Sequence, residues 1–578
     1  MRVRLRGIAT WAGAAGLALT ALVLPPAGAP SAHAENNGVG LSPALGWSSW
    51  SSVRRSPTAA KIEAQADAMK SSGLAAAGFQ YVNVDDFWYQ CPGSQGPNVD
   101  ADGRWVTDTA KFPSSGGSDG IKVVADHVHA DGLRFGLYVT PGVSSQAVSQ
   151  NSAILGTSYH VKDIATTTAE KNYNCKGMVG IDYTKPGAQE FVNSWADEFA
   201  AWGVDYVKID GVGTSDVADI QAWSKALQQT GRPIHLELSN NLAISGAATW
   251  KQYSNGWRTG GDIECYSNCT TAGTLTDWPH VQSRFGQVAS WQPYGGPGGF
   301  NDYDSLEVGN GSKTGLTDAE QQSQMSLWAL AASPLILGTD LTALNATELG
   351  YLKNARVLAV DQDAIDAARI VNNGNQQVYS KTEPDGSVII GLFNYSGSGS
   401  TTVSVALSAA GISGTATATD LWSGASLGTI SGTYSVSLGA GAVKLIKAVP
   451  SGGAVRVEAE AAGNTIAGAA RVASCSACSG GHKVGYIGNG AANYLTINGI
   501  TEPSAGSRTL TFTYLLNGSR SFHISVNGGP DIVENLTGTS FSTPVTASVT
   551  VDLNAGSNSI TFHNDSAYAP DLDVVTVS

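Results

Sequence analysis

The chain has 578 residues, 42% of them apolar and only 14% charged, with 69 glycines. That length suggests two or three domains with sizeable cores, and the low-charge, turn-rich surface is that of an exported protein rather than a solenoid or coiled coil. The formal net charge is −14, from 33 Lys+Arg against 47 Asp+Glu, and there is no basic stripe; this argues against nucleic-acid binding, which needs a positive footprint for phosphates.

The first residues run from MRVRLRG through ATWAGAAGLALTALVL to PPAGAPSAHA. A basic region, an apolar region and a small-residue site read as a secretory signal over 1–34, cut after Ala34. The apolar stretch is short for a membrane anchor, and no later stretch is apolar enough to span a bilayer. The expectation is a secreted, extracellular protein with no membrane attachment after cleavage.

Short apolar runs then alternate with helix-like stretches. The predicted strands are ALGWSSWS (44–51), FQYVNVDD (79–86), LRFGLYVT (133–140), VDYVKID (204–210), IHLEL (234–238), WRTGGDI (257–263), VASWQP (288–293) and LILGTDL (335–341). Periodic segments such as AAKIEAQADAMKSSG, IKVVADHVHADG and AQEFVNSWADEFAAWG separate them. About eight βα units over 35–370 predict a TIM (β/α)8 barrel rather than a doubly wound sheet.

From about residue 372 the rhythm changes to short strands with Gly/Ser turns, which predicts an antiparallel β-sandwich over 371–449. PSGG (450–453) reads as a linker, and 454–578 as a second β-sandwich or jelly-roll module. Neither β unit shows a nucleophile arrangement or a histidine cluster, so each reads as structural or binding. Of the six cysteines, Cys265 with Cys269 and Cys475 with Cys478 lie close enough for local disulfide loops, leaving Cys91 and Cys175 to pair. One CxxC without a second pair or nearby histidines is weak evidence for zinc.

Acids recur where the barrel strands end, which is where such enzymes place their chemistry. Cleaving a sugar linkage takes two carboxylates across the scissile bond, one to attack and one to carry a proton. Asp210 suits the nucleophile. Lys208 shares its side-chain parity, and its charge would keep Asp210 ionised. Asp262 follows the sixth strand, with Arg258 upstream, and can face Asp210 across the mouth. Asp85 and Asp86 can clamp sugar hydroxyls. Trp47 and Trp88 offer aromatic walls or core packing, and Asp302 and Asp304 either orient a glycine-rich loop or touch substrate. There is no HExxH, no metal triad in the barrel, no P-loop and no GxGxxG after the first strand. No cofactor is needed for catalysis on this reading.

The motifs GWSSW, NVDDFW, HADGLRFGLYV, YVKID, WRTGGDI, GGPGGFNDYDSLEVG and SLWALAASPLILGTDL, in order from about 41 to 445, resemble glycoside hydrolase family 27, whose well-known members are α-galactosidases. The resemblance implies a retaining mechanism. Asp210 would attack the anomeric carbon, and Asp262 would act as acid and then base. Asp85 and Asp86 would grip hydroxyls, Trp47 would floor the pocket, Tyr138 and Lys208 would support the nucleophile, and Arg258 would contact the sugar near its 2-hydroxyl. The chain departs from familiar galactosidases at Phe87, at Ile209 and Gly211, in a longer stretch from 141 to about 182, and after the fifth strand. There Asn240 stands near a usual Glu, with Glu237 further back.

The expected substrate is a terminal α-galactoside on an oligosaccharide or polysaccharide. Isomalto-dextranase and β-L-arabinopyranosidase activities are the alternatives, and a secreted non-enzymatic carbohydrate-binding protein is the rival class. Residues 455–577 resemble a family 35 carbohydrate-binding module through EAE, CSACSGG and DLDVV. That implies polysaccharide binding and calcium held by Glu458, Glu460 and Asp573, oxygen ligands suited to a hard cation.

Overall fold

The computed structural model describes residues 35–412, 414–451, 455–502 and 505–578. The expected leader over 1–34 lies outside them.

Eight parallel strands form the first domain: β1 (Leu45–Ser48), β2 (Tyr81–Val84), β3 (Arg134–Val139), β4 (Tyr206–Asp210), β5 (His235–Ser239), β6 (Gly256–Arg258), β7 (Phe300–Asp302) and β8 (Leu335–Leu337). Each pairs with its sequence neighbour from β1 to β7, and β1 pairs back onto β8. The seam between β7 and β8 closes beyond the end of β7, where Leu306 bridges Leu337. The predicted barrel is therefore present.

One predicted strand is not. VASWQP lies in the helix Trp278–Trp291, which Asp277 caps by accepting from the His280 N–H, with Pro279 in its first turn. Val281, Phe285, Val288 and Trp291 bury one face of it, a three-to-four spacing that marks a helix and outweighs the short strand-like segment at its end. The true seventh strand is the three-residue Phe300–Asp302, so Asp302 ends a strand rather than sitting in the loop after it.

Trp47, Trp88, Trp250, Trp257 and Trp328 are fully buried in the barrel core, each stabilising the fold by roughly 1.5–3 kcal/mol or more relative to exposure. Leu421 and Leu445 of the following domain, with Tyr379 and Phe393, belong to the same apolar cluster. The Tyr379 hydroxyl donates to the Phe285 carbonyl at 2.7 Å, locking the second domain to the barrel.

That domain pairs a six-stranded antiparallel sheet with a two-stranded one. Its first strand, Ala368–Asn373, begins slightly before the expected boundary, and its last, Val443–Ser451, takes in Pro450 and Ser451, so the expected linker starts inside a strand. The C-terminal domain is an antiparallel β-sandwich around its own core, in which Phe512, Phe522 and Phe562 meet edge to face. The three expected disulfides are formed: Cys91–Cys175, Cys265–Cys269 and Cys475–Cys478. Among the described residues no helix is long and apolar enough to cross a membrane.

Candidate active site

Alternation along β4 turns Tyr206, Lys208 and Asp210 to one side, so this strand carries a ladder from the barrel interior to its mouth. Asp210 stands at the top, level with Ser239 of β5, and Lys208 one layer below, level with Glu237. A cavity of about 520 Å³ opens at this end, with Asp210, Asp262, Asp85, Asp86, Lys208 and Arg258 in its wall. Six residues from the ends of three strands, β2, β4 and β6, thus converge on a space large enough for a sugar.

The acid pair at the end of β2 is deeply buried and already engaged. Asp85 Oδ2 accepts from Lys208 Nζ at 2.8 Å, and its Oδ1 accepts from the Asp86 N–H at 2.8 Å. Asp86 Oδ1 accepts from the Tyr89 hydroxyl and the Phe87 N–H, both at 2.7 Å, and its Oδ2 accepts from Asn174 Nδ2 at 2.7 Å. Burial pushes Asp86 up, against these hydrogen bonds.

Lys208 therefore does not bond Asp210 directly. Burial alone lowers the lysine's proton affinity, but Asp85 and Asp210 outweigh it and hold the ammonium charged. Burial opposes the expected influence of Lys208 on Asp210. Burial pushes its carboxyl up, and the opposing charges of Lys208 and Arg258 leave it still above the ordinary range.

Asp262 is the more open acid. Burial raises it, but Arg258 and the Tyr266 hydroxyl together hold it below the ordinary range. Arg258 Nη1 lies 2.9 Å from its Oδ1, and the Tyr266 hydroxyl donates a short hydrogen bond to its Oδ2. Trp50 Nε1 donates to that hydroxyl at 2.8 Å, and the Arg54 guanidinium lies 4.6 Å from the ring centroid. In the free protein the proton thus prefers Asp210 to Asp262.

Several expected contacts fall elsewhere. Glu237 is not at the mouth: it lies in the barrel interior, where its Oε2 meets the Tyr206 hydroxyl at 3.1 Å and His235 Nε2 at 3.0 Å. Burial pushes Glu237 up to about 8 and His235 down to about 3, so both are neutral near pH 7. A Cβ on Gly256 would meet Glu237 Oε2 at 2.0 Å, which is why β6 carries glycine there. Trp47 does not floor the cavity; it is fully buried, and its Nε1 donates to the Thr339 carbonyl at 2.7 Å. Trp88 is also core, donating to the Tyr138 carbonyl at 2.9 Å. Tyr138 does reach the cavity, level with Lys208 on the neighbouring strand, and the lysine Nζ is 5.9 Å from its ring centroid. Asp302 and Asp304 act behind the site. Asp304 Oδ2 accepts from the Ile263 N–H at 2.6 Å, and its own N–H donates to Asp302 Oδ1 at 2.7 Å.

The long stretch after β3 supplies what residue-by-residue reading missed. Three short strands, Val143–Ser144, Ala165–Glu170 and Met178–Ile181, form a small sheet there, and the Cys91–Cys175 bridge ties it to the loop after β2. It places Tyr173 and Asn174 on the cavity. The Tyr173 hydroxyl donates to Asn240 Oδ1 at 3.3 Å, and Asn174 Oδ1 accepts from Arg55 Nη2 at 3.0 Å. Gly211, just past Asp210, adopts φ +83°, and a Cβ there would lie 2.9 Å from that of Lys171; glycine makes room for this loop. The cysteine pair was the one sequence signal that could have placed Asn174 beside Asp86.

The expected cation ligands of the C-terminal domain lie near one another, with the Arg456 guanidinium already paired to Glu458 Oε1. Glu458 Oε2, Glu460 Oε2 and Asp573 Oδ1 are buried and have no hydrogen-bond partner among the described residues. Burial, with the nearby charges of Glu458 and Glu460, pushes Asp573 up to about 6. Ser479 joins two of these acids, its hydroxyl donating to Glu458 Oε1 at 2.6 Å and its N–H to Asp573 Oδ2 at 3.3 Å. Orphaned oxygens on three clustered acids fit a hard cation.

The family model described as alpha galactosidase A matches residues 58–172 and 172–363, and that of the alpha galactosidase C-terminal beta sandwich domain matches 373–448. The chain is 33% identical to an alpha-galactosidase of Cyamopsis tetragonoloba over 72% of its own length and 88% of the relative's. It is also 33% identical to the alpha-galactosidase of Coffea arabica, over 72% and 95% of the two chains. Among solved structures, a family 27 β-L-arabinopyranosidase of Geobacillus stearothermophilus in complex with arabinose superimposes with a TM-score of 0.66 at 30% identity, covering 71% of this chain and 97% of that one. Alpha-galactosidase I of Mortierella vinacea gives 0.57 at 25% identity, over 72% and 98%. Matched over most of the barrel and the domain behind it, with paired acids at its mouth, the chain belongs to the alpha-galactosidase family of glycoside hydrolases, family 27.

Proposed function

We propose that this glycosidase is an exported, exo-acting, retaining α-galactosidase. The observation that carries the reading is the convergence of Asp210 and Asp262 on one cavity whose wall is the buried acid pair Asp85 and Asp86. Asp210 Oδ attacks the anomeric carbon as Asp262 delivers its proton to the departing glycosidic oxygen, leaving a glycosyl ester on Asp210. Asp262, now a carboxylate, takes a proton from water, and the resulting hydroxide attacks the same carbon and frees the sugar. Two inversions give net retention.

The free protein's proton distribution has to reverse on binding. Asp262 is 32% exposed, so an aglycone that covers it removes water from the carboxylate and raises its proton affinity. Asp210 is already dry; a sugar carbon approaching it favours the anion that attacks. Asp85 and Asp86, with both carboxylates held by fixed donors, offer remaining lone pairs to ring hydroxyls.

A β-L-arabinopyranosidase activity is the second reading, favoured by the likeness to the Geobacillus enzyme. The two sugars share their hydroxyl pattern but differ at the exocyclic carbon, so a panel of aryl glycosides separates them. Dextran belongs in the panel, since an isomaltose-releasing enzyme would ignore both. Proton NMR of the first-formed anomer tests retention: α-galactose as the initial product supports the mechanism, and β-galactose refutes it.

The C-terminal domain serves in this reading as a carbohydrate-binding module. Glu458, Glu460 and Asp573 would hold a calcium ion that neutralises their clustered charge and braces the Cys475–Cys478 loop. Removing residues 455–578, which spares the strand Val443–Ser451, should weaken binding to polymeric substrate and leave activity on a small aryl galactoside intact. Equal loss on both would assign the module a structural role.

A further inference from the structure

Sequence reading finds no histidine cluster in the C-terminal module, but the sheet builds one. His523 lies on strand Gly506–Val526, directly opposite His563 on strand Gly556–His563. Asp531 opens the strand on the other side, Asp531–Leu553. Its carboxylate sits between the two rings: Oδ1 is 3.1 Å from His563 Nε2 and Oδ2 is 3.5 Å from His523 Nδ1. A donor atom from each of the three residues lies within 4.8 Å of the others.

Asp565 completes the arrangement. Its Oδ1 lies 3.0 Å from His563 Nδ1, so the imidazole has a carboxylate oxygen on each of its nitrogens. A neutral ring donates to only one of them, and the other contact is satisfied by a second ring proton or by a cation at that nitrogen. A carboxylate orienting the far nitrogen of an imidazole is the supporting shell found around histidine metal ligands. The side chains of His563, His523 and Asp531 are 18%, 29% and 37% exposed, so an ion from solvent can reach them while the sheet holds their backbones.

We propose that His523, Asp531 and His563 form a binding site for a divalent transition-metal ion of the zinc class, with Asp565 as the residue that positions His563. Two imidazoles and one carboxylate, with a solvent-facing fourth position, match the ligand preference of that class and not of calcium. Donors about 2.0–2.2 Å from the ion require these side chains to draw together by rotation, without backbone movement. The ion would staple three strands of the module, separately from the acidic cluster around Asp573.

The test is a Co²⁺ titration of chelator-stripped full-length protein in excess calcium at pH 7.5, read by visible absorption and calorimetry, with Zn²⁺ as competitor. All cysteines are in disulfides, so thiolates do not compete. The expected result is one saturable equivalent, displaced by Zn²⁺, whose affinity falls at least about tenfold in His523→Ala and in His563→Ala. Asp565→Asn leaves every donor in place and should weaken binding roughly tenfold. Circular dichroism verifies that each variant is folded. His127→Ala, in the exposed group with Asp67 and Asp131, should change nothing. No saturable binding, binding indifferent to both module histidines, or loss confined to His127→Ala would overturn the site and leave an imidazolium held by two carboxylates.

Discussion

The Lys208–Asp85 pair is the electrostatic support of the whole site, and a double-mutant cycle measures it. Asp85 is 4% exposed and Lys208 23%, with 2.8 Å between Oδ2 and Nζ. Lys208→Met leaves a buried carboxylate facing Asp210 and Asp86 without its cation. Breaking a fully buried pair costs roughly 3–5 kcal/mol. Partial exposure of the lysine places this one at the lower end, about 3 kcal/mol. Asp85→Asn costs less, about 2 kcal/mol, because Asp210 remains near the ammonium. In the double variant neither charge is stranded, so the loss should be about 3 kcal/mol rather than the additive ~5, a coupling of roughly 2 kcal/mol. Urea unfolding followed by tryptophan fluorescence reports on the right part of the chain, since no tryptophan lies beyond Trp422. Additivity within about 0.5 kcal/mol, or an unchanged midpoint for Lys208→Met, would refute the claim that this pair is a coupled element.

Asp262→Ala should slow hydrolysis of poor leaving groups by about 10²–10⁴-fold, with azide restoring turnover of an activated aryl galactoside; failure of rescue removes Asp262 from the acid/base role. Tyr266→Phe deletes the hydroxyl that stabilises the Asp262 carboxylate, so the limb of the kcat/KM–pH profile due to Asp262 should move to higher pH, and an unmoved profile would make Tyr266 mere packing. Glu237 is held at about 8 in the fold, above its unfolded value near 4.5, so its favourable contribution is complete below about pH 4.5 and is lost as pH rises through about 8. Stability of the barrel should fall over that window by an amount on the order of a few kcal/mol, with Asp302, also at about 8, sharing the decline. Glu237→Gln should flatten it, and an identical pH slope in the variant would show that Glu237 is already ionised.

The barrel, its acid-ended strands and the placing of Asp210 and Asp262 at its mouth were legible in the sequence because they are local. A strand of alternating parity decides by itself that Lys208 and Asp210 face one way, and a helix such as Asp318–Leu330 announces its start through the Thr317 and Glu320 capping box. The seventh strand failed on the same ground. Phe300–Asp302 is three residues inside a glycine-rich loop, too short to show a period, while the helix beside it ends in a run that mimics a strand.

Contacts between distant segments needed the folded chain. Whether Lys208 pairs with Asp85 or Asp210, whether Trp47 is floor or core, and how deep Glu237 lies depend on register between strands, which composition does not encode. Asn174 meets Asp86 only because a disulfide folds the loop after β3 over the mouth, and Tyr266 meets Asp262 in the short loop closed by Cys265–Cys269. His523 and His563 become neighbours because two antiparallel strands pair them. The sequence alone determined which side chains each strand offers to the barrel's mouth, since that follows from chain-local geometry; their partners were decided by tertiary structure, because a hydrogen bond or an ion pair depends on distance in space, not along the chain.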